Sequence, residues 1–283
     1  MKKIRAAIIG SGYGYYVIYK ALLRTKNVQV IAVCSRNQRK LKNIFGQNKI
    51  DFFKSWKKML SQRNIDLLAI ATVPNIQSEI LLSNDIKNSN IKYYFIEKPI
   101  AENLNNSLKI YNKFKTSKNF LVDFTFLATD IFQKYKKILE QKKTKFDQIN
   151  IQWKFLAYHN KYNILTWKTK SKLGGGIVNF YLIHLLNYLE FFFGDYKISR
   201  IMYKTKNSLG FVVYSKKYNK ITIDFDCNYK KKPVHKIDIY GKNSHLILQN
   251  KSYQYFKNFK IINKKNKKIK IIHQYKNILK KNE

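Results

Sequence analysis

Lys3-Ile-Arg-Ala-Ala-Ile-Ile9-Gly10-Ser-Gly12-Tyr-Gly14 begins as a short apolar run and ends on three alternating glycines. Lys3 to Ile9 reads as a strand. Tyr15 to Arg24 reads as the helix that follows, with Ile18, Leu22 and Leu23 spaced for one side. A turn at this place needs glycine first for a tight bend, and glycine second so that backbone amides can approach a pyrophosphate at the helix N-terminus. Ser11 and Tyr13 fill the intervening positions, and Tyr15 stands where a third glycine usually completes the spacing. The spacing alone would fit an ordinary tight turn; its setting between a strand and a helix makes it a dinucleotide-binding candidate.

Outward from this turn, strands and helices alternate. Val28 to Val33, Asp66 to Thr72, Ile91 to Ile96 and Phe120 to Thr125 read as strands. Asn37 to Phe45, Ser55 to Leu60, Asn75 to Ile86 and Asn103 to Lys115 read as helices. Such alternation implies crossover connections and a doubly wound parallel sheet covered on both faces. The first domain is therefore expected over residues 1–122. The second, 123–283, has a different texture. Phe132 to Gln141 and Gly176 to Phe193 read as helices. Phe146 to His159, Ile198 to Thr205, Ser208 to Tyr214, Lys220 to Cys227, His235 to Tyr240 and His245 to Leu248 read as alternating strands joined by polar turns at 217–220 and 241–244. A mainly antiparallel open sheet with one face on two helices is the expectation. The Lys- and Asn-rich last thirty residues read as weak strands and a terminal helix.

Composition bounds the function. The 283 residues are 45% hydrophobic and 15% aromatic, which excludes a disordered chain and is ample for two cores. Fifty-six Lys and Arg face 16 Asp and Glu, a formal net charge of +40. Lys, Asn, Ile, Tyr and Phe share A/T-rich codons, so base composition accounts for the excess as well as function does. No single basic stripe or nucleic-acid motif accompanies it, so no specific nucleic acid is expected, though the field favours anionic ligands. Cys34 and Cys227 are too few for a disulfide framework, and the apolar stretch Gly176 to Gly194 carries Asn179, His184, Asn187 and Glu190. Ile4 to Ile9 is too short for a secretory h-region. A cytoplasmic protein with no membrane span and no metal site is the expectation.

Three further motifs carry chemistry. Strand two ends in Ala32-Val33-Cys34-Ser35-Arg36, without the acid that would accept hydrogen bonds from a ribose 2′-hydroxyl. Ser35 can donate to a 2′-phosphate and Arg36 can pair with it, which favours NADP(H), with NAD(H) as the alternative. Glu97-Lys98-Pro99 ends another strand, where a side chain points into the ligand crevice of an open sheet, although a surface Lys-Pro turn would read the same way. Trp167-Lys168 precedes Gly174-Gly-Gly176, which opens a helix carrying Tyr181, His184 and Asn187 as a polar stripe on an apolar helix. A core histidine and a site histidine fit that stripe equally.

Together these motifs resemble the Gfo/Idh/MocA family of NAD(P)-dependent oxidoreductases. The Gly10–Gly14 turn, the segment Asp66 to Glu79 with Thr72, Val73, Pro74 and Gln77, Glu97-Lys98-Pro99, the glycine run ending in His184, and His235 to Gly241 carry the resemblance. It implies a Rossmann domain followed by an α/β domain whose open sheet forms a homo-oligomer interface. It also implies hydride transfer between nicotinamide and a secondary alcohol or ketone of a sugar, cyclitol or nucleotide-linked sugar. Lys98 would donate to the reacting oxygen and His184 would be its acid/base. Gly10, Ser11, Gly12, Tyr13, Gly14, Ser35, Arg36, Thr72, Val73, Pro74, Gln77, Glu97, Lys98 and Pro99 would bind cofactor. Trp167, Lys168 and Tyr181 would line the substrate site, with Tyr158 and His159 as further candidates. The place of Pro99 in the motif suggests a cis peptide bond.

Three departures stand out. Gln77 occupies a position where many members have histidine, a variation expected to touch only cofactor or substrate contacts. Phe180 occupies the position of a catalytic Asp one turn before His184 and can neither orient an imidazole nor raise its basicity. The chain is also short, so elements after Leu248 are expected to be trimmed. Phe180 and the length favour a rival reading, a cofactor-binding sensor or partner subunit without turnover.

Overall fold

The computed structural model of the chain describes residues 3–37, 50–141, 146–265 and 268–274. It divides into two compact units, Met1–Asp123 with Lys170–Gly175, and Phe124–Thr169 with Gly176–Glu283.

The first unit is built on six strands: β1 (Ile4–Ile9), β2 (Val28–Cys34), β3 (Asp51–Phe53), β4 (Leu67–Ile70), β5 (Tyr93–Glu97) and β6 (Phe120–Asp123). They run in the order β3-β2-β1-β4-β5-β6, every neighbour parallel. The chain order reverses beside β1, which places the crevice of such a sheet at the carboxyl ends of β1 and β4. β1 is apolar on both sides because it is covered on both sides. Ala6 and Ile8 pack with Ile18, Val30, Val33 and Ala69, whereas Ala7 and Ile9 pack with Ala32, Leu68, Ile70 and Ile80. Asp66 accepts the Arg5 backbone N–H at 3.0 Å and its guanidinium at 2.9 and 3.1 Å, tying β1 to the start of β4. Those bonds hold the Asp66 carboxyl down at about 2.

Several helices differ from the sequence reading. The first starts at Gly14, runs as π-helix to Tyr19 and ends as α-helix at Lys20–Leu23; Ile18 is buried, whereas Leu23, its last residue, lies exposed. The helix expected over 75–86 is two, Pro74–Leu82 and Asn84–Lys87. Ser83 adopts an extended backbone between them and caps the second through its hydroxyl. The short strand β3 was not anticipated. The helix expected over 37–45 lies outside the described residues apart from Asn37.

The second unit holds β7 (Gln148–Lys154), β8 (Tyr196–Lys204), β9 (Ser208–Ser215), β10 (Asn219–Asp226), β11 (Val234–Gly241), β12 (Ser244–Asn250), β13 (Lys260–Lys265) and β14 (Lys268–His273). Their order is β14-β13-β12-β11-β7-β10-β9-β8, antiparallel except for the β7–β10 pair. One face, with Ile151, Ile223, Phe211, Ile237 and Leu248, packs on the helices Asp130–Gln141 and Ile183–Phe193 through Phe132, Tyr135, Leu185, Tyr188 and Phe192. Across the sheet, alternate residues form a polar face: Asp238 accepts from Lys236, Tyr240 and His245, and Asp224 from Lys154 and Tyr203. The alternating stretch 146–159 ends as strand at Lys154, and Tyr158–Lys161 is a helical turn instead. The sheet is not trimmed after Leu248, because β13 and β14 extend it; the terminal helix expected beyond them lies outside the described residues.

Candidate functional site

Four strand ends and the loops after them gather the sequence-predicted residues of the first unit. Gly10 has φ +122°, and a Cβ there would sit 2.3 Å from the Ala71 carbonyl oxygen, so the loop after β1 and the loop after β4 touch backbone to backbone. Gly12 is different: its φ is ordinary for any residue and a Cβ would meet nothing within 4 Å. No described neighbour in the chain requires glycine there. The loop is fixed on two sides. Ser35 donates to Ser11 at 2.9 Å, joining the ends of β1 and β2, and the Tyr13 hydroxyl donates to Asp123 at 2.9 Å at the end of β6. Arg36 lies exposed beyond Ser35, with no acid at the end of β2.

After β4, Thr72 and Val73 lead into the helix that Pro74 starts, and Thr72 donates to the Val73 carbonyl at 3.3 Å. Gln77 on that helix is 0% exposed and sends Nε2 to the carbonyls of Glu97 and Pro99, both at 2.8 Å. These residues flank Lys98, which is 8% exposed, and the Lys98–Pro99 peptide is cis. Gly174, far along the chain, packs on the same segment. Its φ is +83°, and a Cβ would lie 2.6 Å from Pro74 Cβ and 2.9 Å from Glu102 Cα.

In the second unit, His184 sits near the start of the helix Ile183–Phe193 and is 8% exposed. Phe124, Phe126 and Trp153 meet its ring edge to face at centroid distances of 6.2, 5.6 and 6.4 Å. One turn earlier, the Tyr181 hydroxyl bonds His159 Nδ1 at 3.0 Å and the two rings stack. Burial pushes the Tyr181 hydroxyl up, while burial and then the Lys168 ammonium push His159 down. Both are therefore neutral at neutral pH, with Tyr181 donating and His159 accepting at Nδ1. Phe180 meets Trp167 edge-on at 5.4 Å and carries the Lys168 ammonium over its ring at 5.0 Å. Trp167, Lys168, Tyr181 and His159 thus form one cluster. Tyr158 is exposed and packs on Tyr162.

A family model described as an oxidoreductase family with an NAD-binding Rossmann fold matches residues 4–124. Over that segment the chain is similar to the Gfo/Idh/MocA oxidoreductases. An uncharacterized oxidoreductase of Synechocystis sp. is 22% identical over 194 residues, 68% of this chain and 52% of that protein, so the match spans about half the length of the relative. Among solved structures, the 3-ketoreductase KijD10 of Actinomadura kijaniata in complex with NADP and TDP-benzene superposes with a TM-score of 0.78 at 11% identity, covering 96% of this chain and 85% of that one. The WlbA dehydrogenase of Bordetella pertussis in complex with NADH and UDP-GlcNAcA gives 0.76 at 16% identity, covering 90% and 78%. At these identities the likeness is one of fold.

The residues that sequence reasoning passed over are those that surround the motif residues. Phe124 and Phe126 follow β6 in a turn closed by the Leu127 N–H on the Phe124 carbonyl, which brings both rings to His184. Asp123 and Glu102 anchor the loops by hydrogen bonds, and nothing in their local sequence marks them. No helix among the described residues is long and apolar enough to cross a membrane.

Proposed function

We propose that the protein is an NADP(H)-dependent dehydrogenase or reductase acting on a secondary alcohol or ketone of a sugar, cyclitol or nucleotide-linked sugar. The observation that carries the reading is the loop after β1, with Gly12 open and Ser11 held by Ser35, in the same sheet that ends β5 on a buried Lys98. The residues present fit a dinucleotide. Backbone amides from Ser11 to Gly14 would hold the pyrophosphate, and Ser35 and Arg36 the 2′-phosphate. NADP(H), when bound, supplies the hydride. Lys98 donates a hydrogen bond to the substrate oxygen and stabilises the negative charge that develops there. His184 gives that oxygen its proton in reduction and takes it back in oxidation. The aromatic rings around His184 restrict its orientation, a task for which Phe180 offers no carboxylate.

Lys98→Met and His184→Ala are each expected to cut turnover by about a hundredfold or more, with NADPH affinity kept. NADPH oxidation with UDP- and dTDP-linked keto-sugars reads the first quantity and nicotinamide fluorescence the second; native turnover in both variants would refute the roles. A second reading, a cofactor sensor without turnover, is favoured by Phe180, and NADPH binding with no oxidation across that substrate set would establish it. The reading also includes a cytoplasmic location, supported by two free, buried cysteines.

A further inference from the structure

We infer that Gln77 is a positioning residue for Lys98, an inference that rests on the role proposed for that lysine. Its side-chain amide donates to the carbonyls on both sides of Lys98, at Glu97 and Pro99, each at 2.8 Å. The orientation of the amide is not in question, because the flipped group would set an acceptor against two carbonyl oxygens. The geometry leaves Gln77 Oε1 buried with no partner among the described residues, a cost that the two donated bonds offset. Being wholly buried, Gln77 acts on the turn and not on a ligand.

The neighbouring residue does the same at the other end of the segment. Ser78 donates to the Glu102 carboxylate at 2.6 Å, and Asn106 and Asn103 add bonds at 2.7 and 3.0 Å. Burial pushes Glu102 up, but the bonds from Ser78, its own backbone and Asn106 outweigh it and hold the carboxyl below its ordinary value. Consecutive residues of the helix Pro74–Leu82 therefore grip the segment 97–102 at both ends, and Lys98 projects from the part that Gln77 holds. With two carbonyls of the turn fixed to a rigid helix, the lysine loses backbone freedom that would otherwise spread its ammonium over several positions.

The test uses the full chain. In Gln77→Met, amide hydrogen exchange at Lys98, Ile100 and Ala101 should rise at least about tenfold while β1 and β4 stay within about twofold. Turnover should fall about tenfold with the KM for NADPH nearly unchanged, and in a Lys98→Met background the same substitution should add less than about twofold. Gln77→His, which keeps a ring N–H, should restore most of the protection. Should Gln77→Met fail to fold, Gln77→Glu serves: its ionised carboxylate opposes both carbonyls and its protonated form donates to one, so protection at Lys98 should return as pH falls. Exchange that is unchanged at the turn, or raised equally across the sheet, overturns the inference, as does a loss of turnover that persists without Lys98. Native turnover in Lys98→Met instead overturns the role of the lysine, and exchange still reports on the clamp.

Discussion

Gly10 and Gly12 stand two residues apart and are glycine for opposite reasons. Alanine at 10 would face the Ala71 carbonyl at 2.3 Å in a left-handed backbone, and should cost about 2 kcal/mol or more of stability. Alanine at 12 meets open space, so the melting temperature should stay within about 2 °C. Its methyl would fill the room a pyrophosphate needs, and NADPH binding should weaken by about tenfold or more. Thermal unfolding and fluorescence titration of the two variants separate the cases; Gly12→Ala binding like the native protein would remove the cradle from the account. Arg36 tests the cofactor from its other end. Arg36→Ala should weaken NADPH by about tenfold, roughly 1.4 kcal/mol, and leave NADH unchanged. Equal losses for both cofactors would show that Arg36 does not read the 2′-phosphate.

At the scale of elements, β11 carries a pH dependence. His235 stacks on Trp153 at 4.8 Å and bonds the Tyr188 hydroxyl at 2.9 Å, and burial pushes its imidazole down to about 3. The folded state therefore keeps His235 neutral while the unfolded chain takes up a proton near pH 6.5. Stability should fall as pH drops below that value, by up to about 1.4 kcal/mol per unit, until the folded imidazole also titrates. His159 contributes with the same sign. Urea titrations between pH 7 and 5 read the slope, and His235→Gln should flatten most of it; an unchanged slope would contradict the assignment. Elements also divide into those legible in the sequence and those that were not. The β1 turn, β5 and the histidine helix announce themselves through apolar runs bounded by glycine or proline. The break at Ser83 was invisible because the apolar spacing continues across it, and a single extended residue whose hydroxyl accepts the Ile86 N–H starts a second helix. Tyr158 and His159 follow the alternation of β7 yet form a helical turn: Leu156 makes one further bridge to Asn228, the Ala157 N–H donates to the Cys227 carbonyl, and the chain then turns with Ala157 as the N-cap. Lys98 and His184 were legible as motifs, whereas their supports, Gln77, Phe124 and Phe126, matter through contacts distant in sequence.

At the scale of the whole molecule, the polar face of the large sheet carries Tyr203, Tyr214, Tyr240 and Ile271, all at least a third exposed, beside the ion pairs of Asp238 and Asp224. We propose that this face joins copies of the chain, since an open sheet of this size is otherwise a liability. Light scattering should give a dimer or larger species, and Tyr214→Lys should shift it toward monomer; a native monomer at micromolar concentration refutes the proposal. The net charge of +40 is read as compositional. Duplex DNA should then bind only weakly and lose its affinity by about 200 mM salt; tight binding that persists there would give the charge a function.

The placement of Gly174 against Pro74 and Glu102 bears on any attempt to study the nucleotide-binding half in isolation. That half is not contiguous in the polypeptide, because Lys170–Gly175 completes it. A fragment ending at Asp123 would leave uncovered the surface of Pro74 that the glycine protects, beside the helix that steadies the lysine. Ligand titrations on such a truncated piece would report on a damaged scaffold, and excision should retain the later hexapeptide through a linker.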